Sequence, residues 1–590
     1  MSIIDEKLGG LEGEHGKKSK MQELTENSPS GLKGLVMNRY ATTVAISIGF
    51  GGLLYGYPSG VLSNILTNEN FAAKFPRIFM DNGYKGWVVA SMEFAGLVGS
   101  IISGPLADLM SRRWCLILSL VIFTLGSGLL TGAQNVSMFV GGRFITGIAV
   151  GILANVVAIY NCEIAPSEIR GTLIAVYMFF MTFGLALAFF VTYGFHFIGG
   201  IRCAPDVPYT GPGGTFNAYT DVPPGGCNGQ SAISWRVPLG LQMVFGMMFG
   251  VAVYLAPYSP RWLMMQDREE EAIKVLMAFR QLPRDHPIIQ VEYLEMKAAM
   301  VYEREVMEEK APGSNRFVQQ WETFKEFFTH RGLFKRLWIC STFMVFNQWA
   351  GINAILYYAP SIFSDLGLDG NTTALLATGL VGIMFWLSTA IAAVNLDKFG
   401  RRKMMMLGTV IMTTGHIVVA AIIGKYGNIF DLYPSAGYAG AAFVYIYMIG
   451  YGITAINCNV ISSEMFPSQH RSQAMGMIFA VNWLCNFSVA FATPAMLSKI
   501  KFGTFIVFAA SCVGCFCWAK YVIPETAGKT VEEVDLLFKD QLASTQAARI
   551  AEINRRVGLT DYHTGLNRST SEKHLAGEKG LQLEHAEEVA

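Results

Sequence analysis

The chain has 590 residues, of which 52% are hydrophobic and only 15% are charged, and its formal net charge is +1. Soluble domains carry about 25% charged residues, so this composition excludes an ordinary soluble protein and indicates an integral membrane protein. The near-zero net charge gives no indication of a nucleic-acid partner. We find no nucleophile–base set, metal cluster or phosphate-binding glycine loop, and therefore expect neither an enzyme nor a bound cofactor.

Residues 1–40 are polar and are expected to form a disordered tail rather than a signal peptide. Apolar segments of about 20 residues, the length that crosses a bilayer, then follow one another along the chain. Twelve are predicted, near residues 41–62, 84–107, 114–133, 138–161, 172–194, 236–256, 338–363, 373–394, 404–424, 437–461, 472–497 and 503–523.

Two polar regions interrupt or follow these segments. Residues 261–337 are charged, with heptad-like apolar spacing around Ala272–Phe279, and predict short helices outside the membrane. Residues 524–590 are also polar. There we expect one short helix at Val531–Phe538 and disorder beyond it.

The first predicted span contains an unusual sequence, GGLLYGYPSGV, from Gly51 to Val61. Pro58 lacks a backbone N–H and clashes with the preceding helical turn. In a membrane, a helix break is tolerated where protein or a water-filled cavity satisfies the freed carbonyl groups. The stretch therefore indicates a cavity at this depth.

Basic residues cluster on one side of a twelve-span arrangement, the side that also holds both termini. The positive-inside rule assigns that side to the cytoplasm, and we expect a multi-pass protein of the plasma membrane. The opposite side receives two glycosylation acceptor sequences, at Asn135 and Asn371. It also receives a loop with Cys203 and Cys227, which are either paired in a disulfide or two free thiols.

The two halves of the chain repeat a pattern of charges. GPLADLMSRR ends the second span and NLDKFGRR ends the eighth, while EIAPSEIR and EMFPSQHR share the pattern E-x-x-P-x-x-x-R. A duplication of six spans explains both repeats and is typical of secondary transporters. We interpret the charges as a cytoplasmic gate, made of Asp108, Arg112, Arg113, Glu163, Arg170, Arg261, Asp397, Arg401, Arg402, Glu464 and Arg471. The alternative is that they only anchor helix ends at lipid headgroups.

The ordered motifs resemble the sugar porter family of the major facilitator superfamily. Besides the strings above, they include GGRFITGIAVGI, SPRWL, NQWAGINAILYYAP, NWLCNF and PETAGKT. The resemblance covers about residues 41–535. It implies an all-α membrane protein with twelve transmembrane helices in two six-helix bundles, residues 41–260 and 338–523, joined by cytoplasmic linker helices. It further implies alternating access and a sugar or polyol site at the midplane.

Candidate substrate contacts follow from polar side chains inside apolar spans. Intramembrane amides are costly unless they face a cavity or another helix, and an indole can cover the apolar face of a sugar ring. The candidates are Asn347, Gln348, Asn353, Asn459, Asn482 and Trp483. The resemblance assigns Tyr357 and Tyr358 to the outer gate. For a single amide, contact with a neighbouring helix would be the better interpretation.

Two charges inside the first half are candidates for proton coupling. The family commonly has an acid or asparagine where this chain has Pro58, and Arg143 resembles an arginine that neighbours that acid. Glu93, in the second span, could pair with Arg143 and couple transport to protons. The alternatives are a static buried pair or a neutral Glu93 hydrogen-bonded to a neighbour.

We therefore expect a transporter of a hexose or related sugar or polyol that works by facilitated diffusion as a monomer, with a small-molecule substrate and the lipid bilayer as its partners. One alternative is a proton-coupled symporter that uses Glu93. Another is an exporter of a less polar metabolite, which Met178 and Phe385 favour because the family often has polar residues at these positions.

Overall fold

The structure is a computed structural model that describes residues 36–165, 170–211, 215–310, 312–314, 316–368, 371–427, 429–466, 468–525 and 541–562. In these residues, twelve helical segments are long and apolar enough to cross a membrane. They are numbered here as spans 1–12: Arg39–Ile65, Asn82–Met110, Arg112–Thr131, Val136–Ile164, Ala175–His196, Ile233–Leu255, Arg331–Asp365, Thr373–Asn395, Arg401–Tyr426, Pro434–Ser462, Gln473–Lys499 and Gly503–Tyr521. The predicted all-α fold with twelve spans is confirmed.

The spans form two bundles, the first from spans 1–6 and the second from spans 7–12. Within the first, span 4 packs on spans 2 and 3, and within the second, span 9 packs on spans 10 and 12. Between the bundles, span 2 packs on span 11 and span 5 on span 8. We call the end of the spans next to residues 256–330 the linker face. The opposite end, next to residues 197–232, is the loop face.

The bundles touch each other in the half near the loop face. A Cβ atom added to Gly86 of span 2 would lie 2.4 Å from the carbonyl oxygen of Phe491 in span 11. One added to Gly379 of span 8 would lie 2.9 Å from the ring of Phe190 in span 5. Glycine lets span 2 approach the backbone of span 11 closely and leaves room for the Phe190 ring beside span 8. The loop face is therefore closed in this conformation.

Span 1 owes its packing to a row of glycines spaced four residues apart. Residues four apart share one face of a helix, and Gly52, Gly56 and Gly60 all face span 5. Added Cβ atoms would lie 2.3, 1.8 and 2.8 Å from span 5 atoms, respectively. Span 1 remains helical through Pro58, whereas Phe50–Gly52 forms a short 3-10 turn. The glycines of GGLLYGYPSGV thus serve close helix packing.

The described part of the linker between the bundles contains four helices, Pro260–Met265, Glu269–Arg280, Pro287–Lys310 and Arg316–Thr329. Two shorter helices, Glu69–Lys74 and Pro76–Met80, connect spans 1 and 2 at the loop face. Glu269–Arg280 begins with three acidic residues and ends with Arg280, which complements the helix dipole at both ends.

The C-terminal tail differs from the expectation of disorder beyond Phe538. The predicted helix Val531–Phe538 lies outside the described residues, but a tail helix spans Gln541–Arg556 and packs on the linker helix Pro287–Lys310. Ile553 of the tail is only 1% exposed, and Arg549 forms an ion pair of 2.5 Å with Glu309. Composition missed this helix because its burial depends on a distant partner in the linker.

Candidate functional site

Span 7 is broken near its middle, between the helices Arg331–Gln348 and Ile352–Asp365. Gly351 at the break has a φ of +92°, a conformation that favours glycine. The carbonyl group of Ala350 remains satisfied, because Tyr447 donates its hydroxyl to it at 3.0 Å and the His416 Nε2 lies 2.8 Å away. Side chains from span 9 and span 10 thus stabilise non-helical backbone inside the membrane.

Amide side chains flank this break and reach span 11. Gln348 Nε2 donates to Asn482 Oδ1 at 2.5 Å, and Asn353 Nδ2 donates to Asn486 Oδ1 at 2.7 Å. Gln348, Asn353 and Asn482 are predicted substrate contacts, and Asn486 is a further amide of span 11 whose pairing with Asn353 could not be predicted from the sequence. The structure therefore brings the predicted amides of spans 7 and 11 together.

The amide cluster extends to span 10. Asn347 Nδ2 donates to the Tyr451 hydroxyl at 3.2 Å, and the ring of Phe385 in span 8 lies 5.7 Å from the Tyr451 ring, centre to centre. Sequence reasoning missed Tyr451, because it is one of several tyrosines in span 10 and no local pattern distinguishes it. Phe385 gives this polar cluster an apolar wall.

Several atoms of the cluster have no hydrogen-bond partner among the described residues although they are buried. They are Asn347 Oδ1, Gln348 Oε1 and Trp483 Nε1. A buried donor or acceptor without a partner costs about 1–3 kcal/mol. These atoms are therefore available to a hydroxyl-rich molecule, which can both donate to the amide oxygens and accept from the indole.

Trp483 joins the amide cluster to the first bundle. Its side chain is 2% exposed, and its ring lies 5.3 Å from the ring of Tyr55 in span 1. A Cβ atom added to Gly96 of span 2 would lie 2.7 Å from the indole. The indole thus sits between the bundles, with both contributing to its surroundings.

The two predicted gate tyrosines point to different bundles. Tyr358 donates its hydroxyl to the carbonyl oxygen of Ala490 in span 11, at 3.0 Å, within its own bundle. Tyr357 crosses to the first bundle, where its hydroxyl donates to Glu93 Oε1 and lies 3.4 Å from Ser59 Oγ. Both tyrosines are 2% exposed.

The ion pairs of the described residues include none between Glu93 and Arg143, and the structure agrees with the alternative of a Glu93 that is hydrogen-bonded to a neighbour. Arg143 donates from Nε to the carbonyl oxygen of Val88 and from Nη2 to that of Val89, each at 2.8 Å. Backbone carbonyl groups of span 2 therefore satisfy the guanidinium directly. Glu93, one turn further along span 2, hydrogen-bonds to Tyr357.

At the linker face, ion pairs form within each bundle. In the first bundle, Arg112 contacts Asp108 at 3.0 Å and Glu163 at 2.8 Å. In the second, Arg401 contacts Glu464 at 3.1 Å. Repeated sequence motifs therefore form repeated ion pairs. In this conformation, the pairs tie neighbouring spans of one bundle together and do not connect the two bundles.

The second arginine of each motif has another environment. The Arg113 guanidinium lies 5.3 Å from the ring centre of Tyr258, a cation–π geometry. Arg402 Nε donates to the carbonyl oxygen of Ala519 at 2.9 Å. Arg113 thus contacts an aromatic ring, whereas Arg402 contacts the backbone near the end of span 12.

Arg261 joins two helices of the linker, Pro260–Met265 and Pro287–Lys310, because it forms an ion pair with Glu303. The Glu303 carboxylate raises the pKa of the Arg261 guanidinium, and burial raises the pKa of Glu303. Arg471 Nη2 donates to the Phe466 carbonyl oxygen at 3.4 Å. The side chains of Arg170, Asn371, Asp397 and Asn459 lie outside the described residues.

The loop between spans 5 and 6 is folded around a disulfide between Cys203 and Cys227. The loop is held to the first bundle by Glu69, whose Oε2 accepts from the Cys203 backbone N–H at 2.7 Å. The glycosylation candidate Asn135 is exposed, and its Oδ1 caps span 4 by accepting from the Met138 backbone N–H at 2.8 Å.

Comparison with known proteins agrees with this architecture. The family described as "Sugar (and other) transporter" matches residues 44–538. The chain belongs to this family. The Aspergillus clavatus protein "Probable quinate permease" is 30% identical over 533 residues, 88% of this chain and 90% of that protein. The "Quinate permease" of Emericella nidulans is 29% identical over 529 residues, 87% and 91% of the two chains.

Solved structures of the xylose transporter XylE share the fold of this sugar porter. The proton:xylose symporter XylE bound to 6-bromo-6-deoxy-D-glucose aligns with a TM-score of 0.65 and 24% identity, covering 85% of this chain and 99% of that chain. The partially occluded inward open conformation of XylE from E. coli has a TM-score of 0.63 and 23% identity, with 83% and 100% covered. The major facilitator fold is thus confirmed, and the sugar porter is a transporter of a sugar or related solute.

Proposed function

We propose that this sugar porter binds a polyhydroxylated ring, a hexose or cyclic polyol, between its two bundles and moves it by alternating access. The observation that carries the proposal is the amide cluster of spans 7 and 11 beside Trp483. Amides donate and accept with equal ease, which suits hydroxyl groups. The indole offers a flat apolar surface to the C–H face of a ring.

The charge of the site favours a neutral substrate. Arg143 is a buried cation of the first bundle that could bind a substrate carboxylate. It already donates to the Val88 and Val89 carbonyl groups. A carboxylate in the amide cluster would therefore depend on neutral donors such as Gln348 Nε2 and Trp483 Nε1. Neutral hydrogen bonds are weaker than charge-assisted ones.

The second candidate substrate is quinate, a hydroxylated cyclohexane carboxylate. It is favoured by the relatives called quinate permease, which align along most of this chain. Its ring hydroxyls suit the same amides as a sugar, so the two candidates differ mainly in the carboxylate group. Its uptake alone would move a negative charge and respond to membrane potential.

We infer that transport is facilitated diffusion. In the first bundle, span 1 has Pro58 rather than an ionisable side chain, and Arg143 contacts backbone carbonyl groups rather than an acid. No ion pair between Arg143 and Glu93 is therefore available to be broken by protonation in this conformation. Protons could drive transport only through a group that binds a proton more tightly in one conformation of the transporter than in the other.

We further propose a plasma-membrane monomer with the linker face in the cytoplasm, which agrees with the basic residues of the linker-face motifs. The loop face, with Asn135 and the Cys203–Cys227 disulfide, would then be extracellular. The intrabundle ion pairs at the linker face would support the cytoplasmic gate by holding each bundle rigid while it rocks.

The test is initial uptake of labelled hexoses, pentoses, cyclic polyols and quinate in cells that lack their own carriers. We expect uptake of a neutral ring compound that never exceeds its external concentration and survives a protonophore. Gln348→Ala and Asn482→Ala should lower kcat/KM by about tenfold, since each loses a hydrogen bond of about 0.5–1.5 kcal/mol and frees a buried partner.

Asn395→Ala is the matched control, because Asn395 is an amide of span 8 whose side chain only donates to the Ile391 carbonyl group of its own helix. It should leave kcat/KM unchanged. Transport of quinate but of no neutral ring would establish the second candidate. Equal activity of the Gln348, Asn482 and Asn395 variants would remove the amide cluster from the binding site.

A further inference from the structure

We propose that Glu93 is the acceptor that holds the loop-face gate closed, through its hydrogen bond with Tyr357. It would act as a positioning residue, setting how readily the gate opens. The inference rests on the proposed alternating access but not on any particular substrate. It is independent of proton coupling.

The hydrogen bond between Tyr357 and Glu93 connects the second bundle to the first. Glu93 lies in the middle of span 2 and is 1% exposed. Tyr357 lies in the second helix of span 7, and its hydroxyl donates to Glu93 Oε1. The same hydroxyl lies 3.4 Å from Ser59 Oγ of span 1. Tyr357 thus meets two spans of the first bundle while belonging to the second.

The helix that carries Tyr357 is built to move separately from the rest of span 7. It begins after Gly351, whose φ of +92° ends the first helix. Tyr358 has non-helical angles, φ −123° and ψ 17°, and Pro360 follows within the same helix. Breaks of this kind are where a helix can bend during a conformational change.

The surroundings of Glu93 make its acceptor role specific. Its Oε2 is buried and has no hydrogen-bond partner among the described residues, so the hydrogen bond of this carboxyl group comes from Tyr357 at Oε1. Arg143 does not replace it, since its Nε and Nη2 donate to backbone carbonyl groups. When the second helix of span 7 moves away, Glu93 loses this donor.

The loss of this donor when the gate opens therefore favours the closed loop face. A polar group left without its hydrogen-bond partner bears the cost of its desolvation, whereas replacing both partners by apolar groups can be nearly neutral. Removing either partner should shift the equilibrium toward the open loop face, whereas removing the second partner as well should add little. Such non-additivity is the signature of a direct interaction between two side chains.

The test measures opening directly, without substrate, in the full chain with Ser59→Cys as a reporter. Ser59 is 5% exposed beside Tyr357, so a cysteine there reacts with a membrane-impermeant thiol reagent only when the loop face opens. Labelling is compared with the same chain lacking the reporter, which accounts for the other cysteines. Tyr357→Phe and Glu93→Leu should each speed labelling about tenfold.

Two variants separate gating from a general structural effect. Glu93→Gln keeps an oxygen acceptor at the same place and should restore labelling close to that of the unmodified reporter chain. Tyr57→Phe also removes a buried hydroxyl, but one that donates to the Pro238 carbonyl oxygen within the first bundle. It should leave the labelling rate unchanged.

The double variant Glu93→Leu/Tyr357→Phe should label no faster than the faster single variant. Since Glu93→Leu places an apolar group in a packed site and can fail to fold, Tyr357→Phe, which removes one oxygen atom, is decisive alone. An unchanged rate in Tyr357→Phe, or effects that multiply in the double variant, would overturn the proposal. Because no substrate is used, this failure is distinct from a failure of the uptake panel.

Discussion

The contact between spans 1 and 5 gives the strongest quantitative prediction. Gly56 faces the backbone of span 5 so closely that an added Cβ atom would lie 1.8 Å from the Met181 carbonyl oxygen. The two backbones would have to separate by roughly 1.6 Å to restore an ordinary contact of 3.4 Å. Backbone, unlike the end of a flexible side chain, cannot rotate away. Gly56→Ala should therefore strain the whole helix pair.

Overpacking of a close contact typically lowers the free energy of unfolding by about 1–3 kcal/mol and occasionally more. Gly56→Ala should lower it by an amount at or above the upper end of this range. Gly60→Ala should cost less, because its added Cβ would lie 2.8 Å from its neighbours. Gly141→Ala is the matched control within a span: its added Cβ meets nothing within 4 Å. It should be neutral or stabilise by up to about 1 kcal/mol, the helix preference for alanine over glycine.

The assay is the apparent melting temperature of each purified variant in one detergent, followed by its elution as a folded monomer after heating, with uptake measured in parallel. The expected order of stability is Gly141→Ala, then Gly60→Ala, then Gly56→Ala. Equal melting temperatures for Gly56→Ala and Gly141→Ala would show that spans 1 and 5 do not approach as closely as described.

Three further predictions concern the linker face, the loop and the tail. Arg112→Gln should reduce initial uptake per molecule at the cell surface much more than Arg113→Gln, because Arg112 pairs with both Asp108 and Glu163; equal losses would count against the ion pair. Reduction should release two alkylatable thiols from the Cys203–Cys227 disulfide, and Cys203→Ser should cost about 3 kcal/mol for opening a loop with a sequence separation of 24; intact mass after alkylation decides. Ile553→Asp should speed proteolysis of the tail, whereas Ile550→Asp should not, since Ile550 is 41% exposed; equal rates would place the tail helix away from the linker.

Much of the candidate site could be predicted from single residues. Amides and an indole in apolar spans have few stable environments, so Gln348, Asn353, Asn482 and Trp483 could be named without a structure. The partners could not be named. Whether Asn353 reaches Asn486, or Glu93 reaches Tyr357, depends on how each span is rotated and how two bundles meet. The sequence left Glu93 with either Arg143 or another neighbour as its partner, and it could not show that backbone carbonyl groups accept from Arg143 while Tyr357 donates to Glu93.

The local sequence is enough to predict the twelve spans, because a run of about 20 apolar residues has a strong preference for a membrane helix whatever surrounds it. It also determined the two-bundle order through its repeated motifs. Contacts between distant segments set where span 7 breaks, which span the glycines of span 1 face, and where the tail helix packs on the linker. Each of these depends on atoms far apart in the chain, and close packing between such atoms selects one arrangement from many that the local pattern permits.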